Sequence, residues 1–247
     1  MFTDIHYAWL IWSVLLLVIW LAMYLVLRSK ESKKEMLIVS FWTGLTGLTE
    51  PLFVPEYWSP PSLFNLNALT GFDIESVLWA FGVGGIVVVL YEYIFRTAHR
   101  HLSRTEQHGH RHRFHHIAVG ATPVLLIALL VFTDWNPIYS SILALLVGGI
   151  ATWYCRPDLK KKMLASAGLF LGVYFLYFLT LIGMYPGYVG QVWNLSAISG
   201  ILIVGIPLEE LLFALSFGFM WSSVYEHMTW RKTGQLGRRY GTLAANG

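Results

Sequence analysis

The stretch LIVGIPLEELLFALSFGF, Leu202 to Phe219, holds two adjacent glutamates, Glu209 and Glu210, behind Pro207 in one of the most apolar runs of the chain. A charged carboxylate in hydrocarbon costs about a few kcal/mol on insertion scales, so two of them require a reason. Side by side in a low-dielectric setting, two carboxyls can hold one proton between them, which is the equipment of a general acid. The plainer alternative is dipole capping. Proline favours the first turn of a helix, and carboxylates near a helix N-terminus are stabilised by its dipole. A cap needs only one acid close to water, whereas here two are followed at once by Leu211-Leu212-Phe213.

Other charged and coordinating residues invite the same question. Glu75, in FDIES, and Glu50, before Pro51 in GLTEP, are further candidates to face one cavity with the pair. Glu92 and Glu226 each follow a tyrosine at the opposite end of their apolar runs, where pairing with basic residues such as Arg96 is expected. Seven histidines lie between His99 and His116, and His112-Arg113-Phe114-His115-His116 matches the HxxHH box of membrane di-iron desaturases and hydroxylases. Imidazole binds iron well. Such enzymes take ligands from several separated boxes, however, and only His6 and His227 lie elsewhere. A solvated basic loop touching anionic headgroups is the plainer reading; adventitious metal binding is a second.

The elements that must position these residues are membrane spans. The chain has 247 residues, 56% of them hydrophobic and only 13% charged, against about 25% charged in a soluble domain. A span needs about 20 apolar residues. Runs of that kind are Ala8–Leu27, Met36–Val54, Phe72–Phe95, Ile117–Phe132, Ile138–Cys155, Met163–Met184 and Ile206–Met228, the fourth being the shortest. The first run has no basic flank before it and no small-residue cleavage site after it, so it reads as a span and not as a signal peptide. Seven spans place all 17 basic residues on one side: Arg28–Lys34, Arg96–Arg113, Arg156–Lys162 and Arg231–Arg239. By the positive-inside rule that side is cytoplasmic, with the N-terminus outside the cell membrane and the C-terminus within. The opposite loops hold Trp, Tyr, Pro and Asn, as interfacial segments do. The basic residues thus mark topology, and no nucleic-acid partner is expected. The single cysteine, Cys155, excludes an internal disulfide.

The chain also repeats itself. FDIESVLWAFGVGGIVVVLYE (Phe72–Glu92) aligns without gaps on IPLEELLFALSFGFMWSSVYE (Ile206–Glu226), setting Glu75 on Glu209, Gly84 on Gly218 and Glu92 on Glu226. With one residue inserted, Trp58 falls on Trp193 and Pro51 on Pro186. Two three-span units fused directly would have opposite orientations, and the leftover fourth span keeps them parallel. The expectation is an all-α integral membrane protein of seven transmembrane helices. Residues 1–96 and 138–247 form two parallel three-helix repeats, and residues 97–137 carry the His-rich loop and a linker helix. Parallel repeats place their site at the mutual interface.

At Pro207-Leu208-Glu209-Glu210 the chain resembles the lycopene cyclase domain family, small integral-membrane cyclases found as heterodimers in some bacteria and as fused two-domain proteins in archaea and fungi. The residues match the family's Pro-x-Glu-Glu/Asp motif, and Tyr57-Trp58-Ser59-Pro60 matches its Tyr-Trp-x-Pro. The resemblance extends over nearly the whole chain; Asp73-Ile74-Glu75-Ser76 departs from the motif in the first unit. It implies a lycopene β-cyclase-like intramolecular lyase that closes rings on a linear carotene or other polyene without net redox change and without a cofactor. A carboxylic acid protonates the terminal double bond, the neighbouring double bond attacks the cation, and a proton leaves. On this reading Glu209 or Glu210 is the acid, with Glu75 and Glu50 assisting. Trp58, Trp79, Trp193 and Phe213 face the cation or the substrate. Membrane lipid and enzymes of the carotenoid pathway are the expected partners. A polyene or lipid carrier, or a non-catalytic subunit of a carotenoid complex, is the alternative, followed by the His-box di-iron enzyme.

Overall fold

At membrane depth no water is available to satisfy backbone N–H and C=O groups, so long apolar runs fold as helices. The structure, a computed structural model, describes residues 5–107 and 110–235. Asp4, His108, Arg238 and Arg239 lie outside the described residues. Among the described residues the protein is all-α apart from two small strand pairs. The helices, in chain order, are α1 (Ala8–Val26), α2 (Lys30–Thr46), α3 (Leu66–Thr70), α4 (Ile74–Phe95), α5 (Arg104–Gln107), α6 (His115–Phe132), α7 (Pro137–Cys155), α8 (Lys160–Met184), α9 (Tyr188–Val192), α10 (Leu208–Trp221) and α11 (Val224–Thr229). Local chemistry sets several starts. The Ser29 hydroxyl accepts from Ser32 N–H before α2, the Asp73 carboxylate accepts from Ser76 N–H before α4, and Asn136 accepts from Ile138 N–H with Pro137 in the first turn of α7.

Among the described residues, five helices are long and apolar enough to cross a membrane: Ile5–Val26, Ile74–Phe95, His112–Phe132, Pro137–Cys155 and Pro157–Met184. The short fourth run is therefore a full helix. Their outward faces carry the exposed apolar residues that hydrocarbon receives, such as Val14, Val18 and Leu25 on α1 and Ile117, Val124 and Val131 on α6. The runs expected as spans two and seven are each broken. The helix α2 begins with the charged KESKKE and gives way to a 3-10 turn, Gly47–Leu52, that contains Pro51, whose missing N–H interrupts the helical ladder. The helix α10 stops at Ser222, and the Ser223 hydroxyl donates back to the Met220 carbonyl at 3.2 Å before α11 begins, the kind of local bond that competes with a helix.

Two helix triplets result. The helix α4 packs on α1 and α2, α10 packs on α7 and α8, and α6 lies against α7. Close crossing depends on missing side chains: a Cβ at Gly218 would lie 2.8 Å from the Ser166 carbonyl oxygen on α8. Trp12 on α1 ties the triplets together. Its indole N–H donates to the Tyr177 carbonyl on α8 at 3.2 Å, the Tyr177 hydroxyl donates to the Trp12 carbonyl at 2.6 Å, and the rings stack 4.2 Å apart.

Strands close both ends. At the basic end, β1 (Thr97–His101) pairs antiparallel with β4 (Arg231–Gln235), with His99 opposite Thr233. Both strands are polar and lack the apolar alternation that would announce them. A short hairpin, β2 (Leu202–Ile203) with β3 (Ile206–Pro207), leads into α10. At that same end Trp58 bridges Trp193: Ser59 N–H donates to the Val192 carbonyl at 2.8 Å, and Asn194 N–H donates to the Tyr57 carbonyl at 2.9 Å.

Under the β1–β4 pair lies a buried ion cluster. The Lys162 ammonium on α8 meets Glu226 at 2.5 Å, Glu92 at 2.6 Å and Glu35 at 3.4 Å. The His99 Nε2 meets Glu226 at 3.0 Å, Glu35 at 3.2 Å and Glu92 at 3.5 Å. Glu92 and Glu226 are thus paired as expected, but with Lys162 and His99 in place of Arg96, which ends α4 in a left-handed conformation. The cluster joins α2, α4, α8, β1 and α11. Replacing Lys162 by Met leaves three buried carboxyls without their central cation, a loss worth about 3–5 kcal/mol. Thermal unfolding in detergent should show a clearly lowered midpoint for Lys162→Met; an unchanged midpoint would contradict the role assigned to the cluster.

Candidate active site

Adjacent residues on a helix with 3.6 residues per turn point about 100° apart, and this separates the two glutamates. Both lie in the first turn of α10, after the extended Pro207. Glu209 turns towards the loop before α10, at the end opposite the basic cluster, where it accepts from the Tyr139 hydroxyl at 2.7 Å and from Ser199 N–H at 2.9 Å. Glu210 turns inward. One of its oxygens accepts from the Tyr57 hydroxyl at 2.6 Å and the Trp193 indole at 2.9 Å, and the other from the Tyr174 hydroxyl at 2.5 Å. The loop PEYWSPP delivers Tyr57 and Trp58, α8 delivers Tyr174, and the segment after α9 delivers Trp193. Burial, and next the charge of Glu210, push the Tyr57 hydroxyl well above the usual tyrosine range, so it stays a proton donor to the carboxylate.

Glu210 opens on a cavity of about 500 Å³ between the triplets, within the range of roughly 300–1,000 Å³ typical of small-molecule sites. Its wall is mostly apolar and aromatic, and its two carboxyl residues are Glu210 and Glu50. Glu50 sits in the 3-10 turn after α2, 8% exposed, and its Oε1 has no hydrogen-bond partner among the described residues. That turn approaches α4 closely: a Cβ on Gly47 would lie 2.6 Å from the Val77 Cα. Trp58, Trp79, Trp193 and Phe213 all line the same space, joined by Trp9, Trp12, Phe217 and Trp221. Trp9 stands edge-on to Trp58, 4.7 Å between centroids, and is held by its indole N–H to Asp73 at 3.3 Å.

The structure therefore brings together Glu210, Glu50 and the four expected aromatics. It does not bring Glu75 or Glu209 to the cavity wall. Glu75 accepts from Leu63 N–H at 2.8 Å, so that, like Glu209, it fastens the loop before its own helix. Pro207 contributes backbone, pairing with Leu202 in the β2–β3 hairpin and setting the start of α10. Sequence reasoning missed Tyr174, whose only signal was a phenol within the apolar run of α8, and did not give Tyr57 a role beyond its place in YWSP. The HxxHH box does not act as one ligand set: His112 and His115 lie near Cys155, whereas His116 is exposed.

An aromatic cavity inside a bundle of apolar helices, holding one hydrogen-bonded carboxylate and one carboxyl with a free oxygen, defines a membrane protein suited to acid–base chemistry on an apolar molecule. Residues 136–228, the stretch from α7 through α11, match the family model described as lycopene cyclase, so this part of the chain is similar to that family. The match supports a carotenoid-cyclase type of function, with a carotene as the substrate class. It includes Tyr174, Trp193 and Glu210 but not Glu50, Tyr57, Trp58 or Trp79, and so is narrower than the resemblance of nearly the whole chain suggested. No curated protein and no solved structure matches the chain.

The three donors around Glu210 are testable. A hydrogen bond to a charged group is worth about 1.5–3 kcal/mol, so Tyr57→Phe and Tyr174→Phe should each lower the thermal unfolding midpoint. Combined, they should be non-additive, because they share one acceptor. Strict additivity in the double-mutant cycle would show that the two phenols do not serve the same carboxylate.

Proposed function

We propose that the protein is a carotene cyclase, an intramolecular lyase that closes a β-type ring on a linear carotene end group by acid catalysis within the membrane. The observation that carries this reading is the pairing, in one aromatic cavity, of a carboxyl with an unpartnered oxygen (Glu50) and a carboxyl held by three donors (Glu210). Donors converging on both oxygens of a carboxyl stabilise its ionised form, whereas a buried carboxyl with one oxygen left without a donor is better tolerated neutral. Glu50 is accordingly assigned as the acid that protonates the terminal double bond. The tertiary cation is attacked by the neighbouring double bond, and Glu210 takes the proton released as the ring alkene forms. Glu50 gives one proton and Glu210 takes one, so the reaction is redox-neutral, and passage of that proton from Glu210 back to Glu50 across the shared cavity resets the pair. Trp58, Trp79, Trp193 and Phe213 present π-faces to the cationic intermediates. Glu209 and Glu75, on this reading, hold the outer loops that seal the cavity.

The architecture proposed is that of two parallel three-helix repeats about an axis along the membrane normal, joined by α6, with the basic ends cytoplasmic. Aligned positions share unusual backbone states: Gly71 and Gly205 both have positive φ (72° and 81°), as do Arg96 and Trp230 (49° and 55°). Aligned segments also pair antiparallel at both ends of the bundle, with Trp58 opposite Trp193 and His99 opposite Thr233. Such self-pairing is what a twofold axis produces.

Expression in a lycopene-accumulating bacterial host, followed by pigment analysis, tests the reaction. The wild type should yield cyclised carotene. Glu210→Gln and Glu50→Gln should each reduce it by about 10²–10⁴-fold, the usual contribution of a positioned acid or base, with protein still present in the membrane. Glu209→Gln and Glu75→Gln should retain product at reduced protein stability. Lycopene left unchanged by the wild type but copurifying with it would favour a polyene-binding role for the same cavity.

A further inference from the structure

At the basic end, away from the aromatic cavity, three segments converge on Cys155. The last residue of α7, it is 1% exposed. His112 and His115, three apart where the His-rich loop enters α6, bring their Nδ1 atoms to 3.7 and 3.8 Å from its Sγ. His227 arrives from α11, and ligand atoms of His115, Cys155 and His227 all lie within 4.8 Å of one another. His227 is 3% exposed, and its Nε2 has no hydrogen-bond partner among the described residues. Its Nδ1 faces the Thr152 hydroxyl at 3.3 Å, the outer contact that fixes a ligating imidazole. Trp230 stacks on His115 at 4.0 Å and stands edge-on to His112 at 5.1 Å, roofing the group.

Nothing in the cyclase chemistry uses these residues. Their separations fit a different purpose. A tetrahedral ion bonded at about 2.3 Å to sulfur and 2.0–2.1 Å to nitrogen holds the two about 3.6 Å apart, close to the Sγ–Nδ1 distances found. The nearest fixed cation, Arg156, is committed to the Asp158 carboxylate through two bonds of 2.9 and 2.7 Å, which offsets its repulsion of a bound ion.

We propose that Cys155, His115 and His227, with His112 as fourth ligand, form a site for one divalent cation of the zinc type, clasping the linker loop, α7 and the C-terminal piece together. One thiolate and three imidazoles suit a borderline-soft ion in tetrahedral geometry. Binding forms the sulfur–metal bond as the Cys155 thiol releases its proton. His112 touches the Cys155 sulfur but lies outside the three-residue set of mutually close ligand atoms, so it completes the site by moving inward; with that fourth position filled the site is closed and its role structural. It is a mononuclear site of Cys and His ligands, distinct from a di-iron box, and it departs from the expectation of a protein without metal.

The test is metal analysis of detergent-purified protein together with cobalt substitution. One zinc per chain is expected, and the cobalt form should show a thiolate-to-cobalt charge-transfer band with intense tetrahedral visible bands. Cys155→Ser should lose the charge-transfer band, and His227→Ala should lower metal content. His101→Ala/His116→Ala, which removes two exposed histidines of the same loop, should leave both unchanged. Wild-type protein that holds no zinc and gives no charge-transfer band on cobalt addition would overturn the site, without recourse to any variant's folding. So would metal lost with His101 and His116 but kept without Cys155, which would mean adventitious binding by the loop. Pigment production has no part in these readouts, so failure here leaves the cyclase reading to its own test.

Discussion

A carboxyl group buried among apolar helices must be given donors or a proton, and most of this structure follows from how that requirement is met. Glu209 and Glu75 are met by loop backbone, and in meeting them the outer loops are fastened. Glu210 is met by two phenols and an indole drawn from three separate segments, and in meeting it the aromatic cavity acquires its shape. Glu35, Glu92 and Glu226 are met by Lys162 and His99, which brings β1 under the bundle and pairs it with β4. Several of these keep one oxygen without a hydrogen-bond partner among the described residues, but of the two on the cavity wall only Glu50 does. Charged groups contribute little net stability when buried, yet breaking one partner of such a set is strongly destabilising. They therefore act here as constraints on arrangement. Burial of the aromatic and aliphatic residues between the helices supplies the driving force.

What the sequence discloses divides along the same line. Apolar length is additive along the chain, so the long helices and even the short fourth run were legible, as was the helix start at Pro207. Breaks were not. Ser222-Ser223 looks innocuous in an apolar run, and the 3-10 turn around Pro51 depends on the close approach of Gly47 to α4. The acidic site was legible as a set of residues but not as a division of labour. Which of two adjacent glutamates faces inward depends on the rotation of α10, fixed by Trp193 and by tyrosines far away in sequence. Polar strands such as β1 and β4 carry no periodic signal at all, and so the partnership of His99 with three glutamates was invisible.

On the proposed two-unit reading, the halves must differ where they meet. At a twofold axis a residue faces its own equivalent, and a carboxylate facing its copy is repelled. Glu92 and Glu226, equivalent by alignment, do meet at the basic end, and what reconciles them is not symmetric. Glu35 at the start of α2 and Lys162 at the start of α8 both reach this cluster, so that one unit supplies a further glutamate and the other the lysine. His99 likewise stands opposite Thr233. At the cavity, Glu210 aligns with Ser76, and Glu50 aligns with Tyr185, so each unit gives the cavity one carboxyl from a different place. A homodimer of one such unit could satisfy neither end, because identical chains would duplicate every charge at the axis. On the same proposed reading, joining two diverged units in one chain permits a neutralised lock at one end. At the other it permits a cavity whose two carboxyls sit in unlike surroundings, as the proposed reaction requires of a proton donor and a proton acceptor.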